Sequence, residues 1–291
     1  MTALPFSLLF PVYAGDRHEY VERSLRSAVV EQVRRPSDVV IVQDGPIGPE
    51  LTRTLQRFRD SVPCPVTVVE LQHNVGLGRA LDEGLRVCRY DVVARQDADD
   101  VSVPHRFAVL LPLIEQGAEL VGSGLLEIGL ADDDVVGRRT PPVDADEIAR
   151  YARFHDPFNH PTVVYRRRAV DAVGGYEDLP LLEDYWLFAR MIHNGARVMN
   201  VPDPLVLYRV GAGSYARRGG RQLLRSEIEL QRRMHASGFT SSAQFARNVT
   251  IRGGYRLVPE RIRRWGYQRL LGHWGDPATE PTTVTAPERR R

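Results

Sequence analysis

Three carboxylates in four residues, Asp97-Ala98-Asp99-Asp100, are the stretch whose residue types and spacing are best suited to chemistry. They follow Asp91-Val92-Val93-Ala94, an apolar run of the kind that forms a short buried strand. Asp is a poor strand former, so the chain leaves the sheet here, at the carboxyl end of the strand. In open α/β sheets that edge is where ligands bind. Clustered carboxylates repel one another, and a cation with oxygen preference, Mg²⁺ or Mn²⁺, relieves the repulsion and in turn holds a diphosphate. The alternative is a solvated acidic turn before the helix that Pro104 opens, and local spacing leaves the two readings level. A second acidic pair, Glu183-Asp184, precedes Trp186, Leu187, Ala189, Met191 and Ile192, which read as the amino end of an amphipathic helix. An Asp there either caps the helix or serves a reaction.

The elements that must position these groups alternate. Phe6 to Phe10 is a strand running into Pro11-Val12-Tyr13, followed by a helix with Tyr20, Leu25, Ala28 and Val29 on one face. Val39-Val40-Ile41-Val42 is continuous apolar, the pattern of a parallel strand covered on both faces, and ends in Gln43-Asp44-Gly45. A helix over 51–58, a strand over 66–71 and a turn from His73 to Gly78 into a helix through Ala80, Leu81 and Leu85 complete the approach to Asp97. This β-α-β-α-β-α-β order is a nucleotide-binding α/β unit, and it brings Tyr13, Asp44 and Asp97 to one crevice. No G-x-G-x-x-G follows the first strand and no G-x-x-x-x-G-K-[ST] occurs, which argues against dinucleotide and P-loop sites. Beyond it, a helix from Pro104 to Ile114, a Gly-spaced strand over 120–130 and a strand at Val163-Val164-Tyr165 follow. Asp132-Asp133-Asp134 reads as a solvated loop before Pro141-Pro142.

Composition sets the frame. The 291 residues, 43% hydrophobic and 26% charged, suit a globular chain with a sizeable core. The net charge of +2 conceals an asymmetry: 22 Arg against 31 acidic residues up to Pro204, then 17 against 6 from Leu205. A basic carboxyl-terminal part on an acidic body points to an anionic surface as partner. A membrane fits better than nucleic acid, which the acidic body would repel. All the cationic side chains are Arg, which carries no chemistry by itself. Cys64 and Cys88 are too few for a disulfide framework and fit a reducing cytosol. No apolar run reaches the ~18 residues of a spanning helix, and no cleavable signal precedes the first strand. The expectation is a cytoplasmic protein, with attachment to the inner face of the membrane as a further expectation.

Together these pieces carry a resemblance. Phe10-Pro11-Val12-Tyr13, Val42-Gln43-Asp44-Gly45, Asn74-Val75-Gly76-Leu77, Asp97-Ala98-Asp99-Asp100 with Pro104 and Arg106, and Glu183-Asp184 occur in the order found in inverting family 2 glycosyltransferases of the GT-A fold. The chain resembles members that build bacterial polysaccharides and glycolipids. The resemblance implies a mixed, mostly parallel sheet flanked by helices, with a helical carboxyl-terminal extension. It implies a catalytic domain over 1–215, its nucleotide-sugar half 1–100 and acceptor half 101–215. A basic helical extension over 216–275 and a disordered tail over 276–291 would follow. Pro11, Val12 and Tyr13 would flank the nucleotide base and Asp44 would accept from its ring N–H. Asp99 would ligate Mn²⁺ or Mg²⁺, with Asp97 on the ribose or the metal, and Asp184 would be the general base. Glu183, Trp186 and His160 would lie toward the acceptor.

Several residues keep two readings. Arg79, in the first helical turn where the dipole disfavours a cation, meets the nucleotide or stands in solvent. His160 is a metal ligand, an acceptor contact or a turn residue satisfied by backbone. Arg217-Arg218, on a Gly-flanked loop, suits a diphosphate clamp. It follows Tyr208-Arg209-Val210-Gly211, where many relatives carry a metal-binding His, so the third metal ligand is left open. The Q-x-x-R-W motif of processive members is absent, since Arg261-Ile262-Arg263-Arg264-Trp265 lacks the Gln; this favours a single transfer per encounter. The interleaved Arg and apolar residues over 251–271 suit either an anionic membrane surface or a helix packed on the body. The expected partners are a nucleotide sugar, UDP-linked by preference, and a saccharide or lipid-linked saccharide. A nucleotidyltransferase would carry a Gly-rich basic motif after the first strand, and Pro11-Val12-Tyr13-Ala14-Gly15 is not one. A silent sugar-binding protein would have lost Asp99 or Asp184, and both are present.

Overall fold

Continuous apolar strands require cover on both faces, and the first part of the chain supplies it. The structure, a computed structural model, describes residues 4–210 and 221–253. β1 (Ser7–Tyr13), α1 (His18–Leu25, continued by a π turn Arg26–Val30), β2 (Asp38–Asp44), α2 (Pro49–Ser61), β3 (Val66–Glu70), α3 (Leu77–Val87) and β4 (Val92–Arg95) follow in order. β1 pairs in parallel with β2 and β4, and β2 with β3. Leu8 and Phe10 of β1 enter one core with Leu25 and Val29, while Leu9 enters the opposite core with Leu81 and Leu85. The alternation of one strand between two cores explains why it reads as unbroken apolar sequence.

The second part closes the sheet. β5 (Val101–Ser102), α4 (Arg106–Glu115), β6 (Leu120–Ile128), β7 (Val135–Arg139), α5 (Ala145–Tyr151), β8 (Val164–Arg166), α6 (Arg167–Asp171), α7 (Glu183–His193) and β9 (Val198–Arg209) follow. The strand order is β3-β2-β1-β4-β8-β6-β9-β5, with β7 beside β6. β8 runs antiparallel to β4 and β6, yet parallel ladders carry most of the paired residues, so the sheet is mixed and mostly parallel. β9 was not expected from sequence, because Pro202 and Pro204 interrupt it. The sheet absorbs them through register shifts on either side of Gly124, where an added Cβ would lie 2.6 Å from the Pro202 carbonyl oxygen.

Helix α8 (Arg221–Ala236) and helix α9 (Ser242–Asn248), which opens on a reciprocal Ser241–Gln244 cap, lie beyond. Leu230 and Met234 of α8 share a core with Tyr185, Trp186 and Ala189 of α7. The described part of the carboxyl-terminal region therefore packs on the body. Arg217, Arg218 and residues 254–291 lie outside the described residues. Among the described residues, no helix is long and apolar enough to cross a membrane.

Gly84 sets the distance between α3 and the sheet, since a Cβ there would press on the Leu9 and Val42 methyls. Gly84→Ala should lower stability by about 1–3 kcal/mol through overpacking. Urea denaturation measures it, and an unchanged midpoint would show that the helix can shift freely.

Candidate active site

The carboxyl ends of β1, β2 and β4 and the end of β9 enclose a pocket of about 320 Å³. Pro11, Val12 and Tyr13 form one wall, Asp44, Gly76 and Leu77 another, and Asp97 and Asp99 a third. Tyr13 is 38% exposed, and its ring lies over Gly15, where a Cβ would come within 2.5 Å of ring carbon. Asp44 is buried, and its two oxygens accept from the backbone N–H groups of Val75 (2.7 Å) and Gly76 (3.1 Å). It thus closes the turn into α3, leaving each oxygen a further lone pair for a ligand. Gly45, at φ +84°, lets that turn cross behind it, since a Cβ would lie 2.7 Å from the Asn74 nitrogen. Arg79 is placed outside this pocket: it is exposed and donates to Asp178 at 2.7 Å.

The acidic trio after β4 divides into three environments. Both oxygens of Asp97 meet the guanidinium of Arg95, at 2.7 and 2.5 Å, and Arg95 is itself 1% exposed. Asp100 is fully buried; one oxygen accepts from the Arg209 backbone N–H at 2.9 Å and the other has no partner among the described residues. Burial, with the charges of Asp97 and Asp99 added, pushes its carboxyl well above the usual range. Asp99, partly exposed, faces the pocket, and its backbone carbonyl accepts from Arg209 Nε at 3.1 Å. Arg209 is the anchor of this wall. Its guanidinium also reaches the Gly129 and Leu130 carbonyls and Asp132, and lies 4.3 Å over the Tyr20 ring. Asp132, read from sequence as solvated, is instead clasped by Arg209 (2.6 Å) and Arg23 (2.8 Å). Burial raises its carboxyl, but those two hydrogen bonds outweigh burial and hold it below its usual range.

Among the described residues no group of three or more His, Cys, Asp or Glu is arranged to hold a metal ion. Asp99, partly exposed on the pocket, could ligate one, and Asp97 lines the same pocket while held by Arg95. A single hard oxygen donor suits Mg²⁺ or Mn²⁺ whose remaining positions go to phosphate oxygens and water.

A second cleft of about 840 Å³ adjoins the first and shares Leu77, Asp97 and Tyr208 with it. Asp184, in the first turn of α7, lies in this cleft with Glu183 and His160. One Asp184 oxygen accepts from the Tyr185 backbone N–H at 2.7 Å; the other is 3.4 Å from His160 Nδ1. His160 Nε2 is 2.9 Å from the Tyr176 hydroxyl. Burial, reinforced by the Arg95 charge, holds His160 well below its usual range, so the ring is neutral. Burial likewise keeps the Tyr176 phenol protonated. The consistent tautomer has Tyr176 donating to Nε2 and the Nδ1 hydrogen turned toward Asp184. His160 therefore faces the acidic helix end. Trp186, expected near the acceptor, is turned into the α7–α8 core, where its indole N–H donates to Glu177 at 2.8 Å. Sequence reasoning passed over Arg95 and the role of Arg209; their adjacency to the acidic trio and to Tyr208 was the available signal.

Glu183 is 7% exposed and sits against Gly78 of α3, where a Cβ would be 3.0 Å from its own Cβ. Burial, then the neighbouring Asp184, pushes its carboxyl up to about 7. A folded pKa above that of the unfolded chain gives stability that is complete below the ordinary glutamate range and lost as pH rises through about 7. Between about pH 5 and pH 8 the wild-type Tm should therefore fall more steeply than that of Glu183→Gln. Parallel curves would show that Glu183 does not carry the shift.

Comparison with known proteins accords with this arrangement. Residues 7–174 match the family model described as glycosyl transferase family 2. The chain is 36% identical to an uncharacterized glycosyltransferase of Haemophilus influenzae, over 92% of this chain and 99% of that one. It is 29% identical to UDP-Gal:alpha-D-GlcNAc-diphosphoundecaprenol beta-1,3-galactosyltransferase of Escherichia coli, over 91% and 96% of the two. Among solved structures it resembles the mannosyltransferase PcManGT of Pyrobaculum calidifontis in complex with GDP-Man and Mn²⁺. That likeness has a TM-score of 0.64 at 16% identity, over 94% of this chain and 76% of the other, and speaks to the fold. With the strand-end pocket, the acidic trio and the α7 carboxylates in the family's order, the chain belongs to glycosyl transferase family 2.

Proposed function

We propose that the protein is an inverting, metal-dependent glycosyltransferase. It moves a sugar from a nucleotide sugar, UDP-linked by preference, to a hydroxyl of a saccharide or lipid-linked saccharide. The product belongs to cell-envelope glycan synthesis at the inner face of the membrane, with one transfer per encounter. The observation that carries the proposal is the junction of two cavities at Asp97, with Asp99 on one side and Asp184 on the other. The relative whose name specifies UDP-Gal and a diphosphoundecaprenol-linked sugar supports the choice of donor and acceptor.

In this reading Tyr13, Val12 and Pro11 hold the base and Asp44 accepts from it. Asp99 would hold a divalent cation, which would neutralise charge on the diphosphate. Arg217 and Arg218 would meet the same diphosphate. Asp184 takes the proton from the acceptor hydroxyl as the oxygen attacks the anomeric carbon opposite the leaving group. The new C–O bond forms while the bond to phosphate breaks, and its electron pair leaves with the nucleoside diphosphate. One displacement inverts the configuration. The Nδ1 hydrogen of His160 orients Asp184, and Glu183 meets the acceptor.

The test is binding and hydrolysis of UDP-, GDP- and dTDP-sugars with Mn²⁺, in wild type and Asp99→Ala. Turnover of one donor that is lost in Asp99→Ala, with an anomerically inverted product on a suitable acceptor, is the expected result. Binding without turnover on any acceptor would favour the silent sugar-binding alternative. No binding of any nucleotide would sink the proposal.

A further inference from the structure

Among the described residues three arginines line the acceptor cleft, and two of them are already neutralised. Arg95 is paired with Asp97, and Arg139 is paired with Glu127 and lies 5.0 Å from the Tyr208 ring centre. Arg138 is exposed, and its one hydrogen bond is to the Pro202 carbonyl at 3.3 Å; among the described residues no carboxylate pairs with it. Among the described residues it is the cation that the cleft offers to an incoming anion. Arg138 lies on β7, and the same short strand carries a second unusual feature. Val135 and Val136 are 52% and 56% exposed, and Leu130, in the loop that joins β6 to β7, is 74% exposed. At about 3.3 Å per residue, the exposed valines stand ~7–10 Å along the strand from Arg138. Apolar tip, unpaired cation and cleft thus lie in sequence along one element.

We infer that the β6–β7 hairpin is the subsite for the lipid diphosphate of the acceptor, a polyprenyl diphosphate-linked saccharide. Its phosphates meet Arg138 and its isoprenoid chain, in the bilayer, meets Leu130, Val135 and Val136. This rests on the proposal that the cleft around Asp184 receives the acceptor. The order of groups on such a lipid matches the order along the hairpin: hydrocarbon at the tip, diphosphate at Arg138, sugar hydroxyl toward Asp184. The acids at the tip sharpen the assignment. Asp132 is bound inward by Arg23 and Arg209, and Asp134 folds over Gly129, but Asp133 and Asp134 are both exposed. Two exposed carboxylates at the tip oppose general attraction to an anionic surface, so recognition falls on a localised diphosphate and a hydrocarbon chain.

The experiment uses the full chain and three kinds of vesicle: phosphatidylcholine alone, phosphatidylcholine with phosphatidylglycerol, and phosphatidylcholine with undecaprenyl diphosphate at matched charge. Flotation should show binding that depends on undecaprenyl diphosphate and exceeds that to the phosphatidylglycerol vesicles. Arg138→Gln should weaken it about tenfold, the loss of one charge-assisted contact. The Val135→Ser/Val136→Ser variant should weaken it as well, and inorganic diphosphate should compete. UDP affinity should be unchanged in both variants, which also reports that they are folded. Equal binding to phosphatidylglycerol vesicles, binding that survives both variants, or no vesicle binding at all would overturn the inference. Survival of binding would assign membrane contact to another region, such as the basic residues over 251–271. Failure of the glycosyltransferase proposal has a different signature: no nucleotide binding, with diphosphate-dependent flotation intact.

Discussion

Asp184→Asn should lower the rate of sugar transfer by about 10²–10⁴-fold, the usual contribution of a positioned general base. The substitution is close to isosteric, and the amide oxygen can still accept from the Tyr185 N–H that the carboxylate meets at 2.7 Å. In the proposed mechanism, what disappears is the site for the acceptor's proton. Nucleotide affinity should stay within a few fold, because Asp184 lines the second cleft and not the strand-end pocket proposed for the nucleotide. Burial raises the Asp184 carboxyl above its usual range, while the Tyr185 N–H and the Arg95 charge pull it down; Asp97 adds a smaller upward push. Glu183 beside it, the neutral His160 and the Tyr176 phenol are also among its titratable surroundings. The wild-type kcat/KM should accordingly fall on the acid side with an apparent pKa above that of an ordinary aspartate, and the residual activity of Asp184→Asn should lack that limb. A variant transferring within tenfold of wild type would remove Asp184 from the mechanism.

Arg95→Met should be the most damaging substitution that leaves every carboxylate in place. The guanidinium is fully buried and spans from the acidic trio to the wall of the second cleft. Removing one partner of a buried ion pair costs about 3–5 kcal/mol. The Asp97 side chain is 23% exposed, so water would compensate part of its charge and the loss should fall near the lower end. Adding Asp97→Asn should recover part of the stability, since no uncompensated charge then remains, without restoring transfer. Activity should suffer separately from stability. The Arg95 charge acts downward on both Asp184 and Glu183, so its loss should move the acid limb of kcat/KM to higher pH. Thermal melts of the two variants and the pH profile of Arg95→Met at a temperature where it is folded decide the matter. Wild-type stability in Arg95→Met, or an unmoved acid limb, would show that the pair is ornamental.

These two residues mark the limit of what is legible in the chain. The alternation of strands and helices up to Arg95 could be read because parallel strands covered on both faces leave continuous apolar runs. Their strand-end positions also brought Tyr13, Asp44 and Asp97 to one crevice, and the structure places all three on the same pocket. Glu183-Asp184 was readable as a helix start, and it is one. β9 was not readable: two prolines break its pattern, and only the bulge opposite Gly124 makes room for them. Trp186 was assigned to the acceptor side, but α8 covers that face of α7 and takes the indole into a core. Nothing local to α7 says which of its faces the end of the chain will cover.

The same division holds for charge. Residue types and spacing announce that carboxylates cluster at Asp97, Asp99 and Asp100, and that an oxygen-seeking cation or a diphosphate would suit them. They do not say that Asp97 is held by Arg95, that Asp100 is buried, or that Asp132 is drawn in by Arg209 from 77 residues away. Periodicity and turn chemistry act over a few residues and are written in the sequence itself. Which carboxylate keeps its charge for a ligand depends on burial and on cations brought in by distant strands, and only the folded chain determines that.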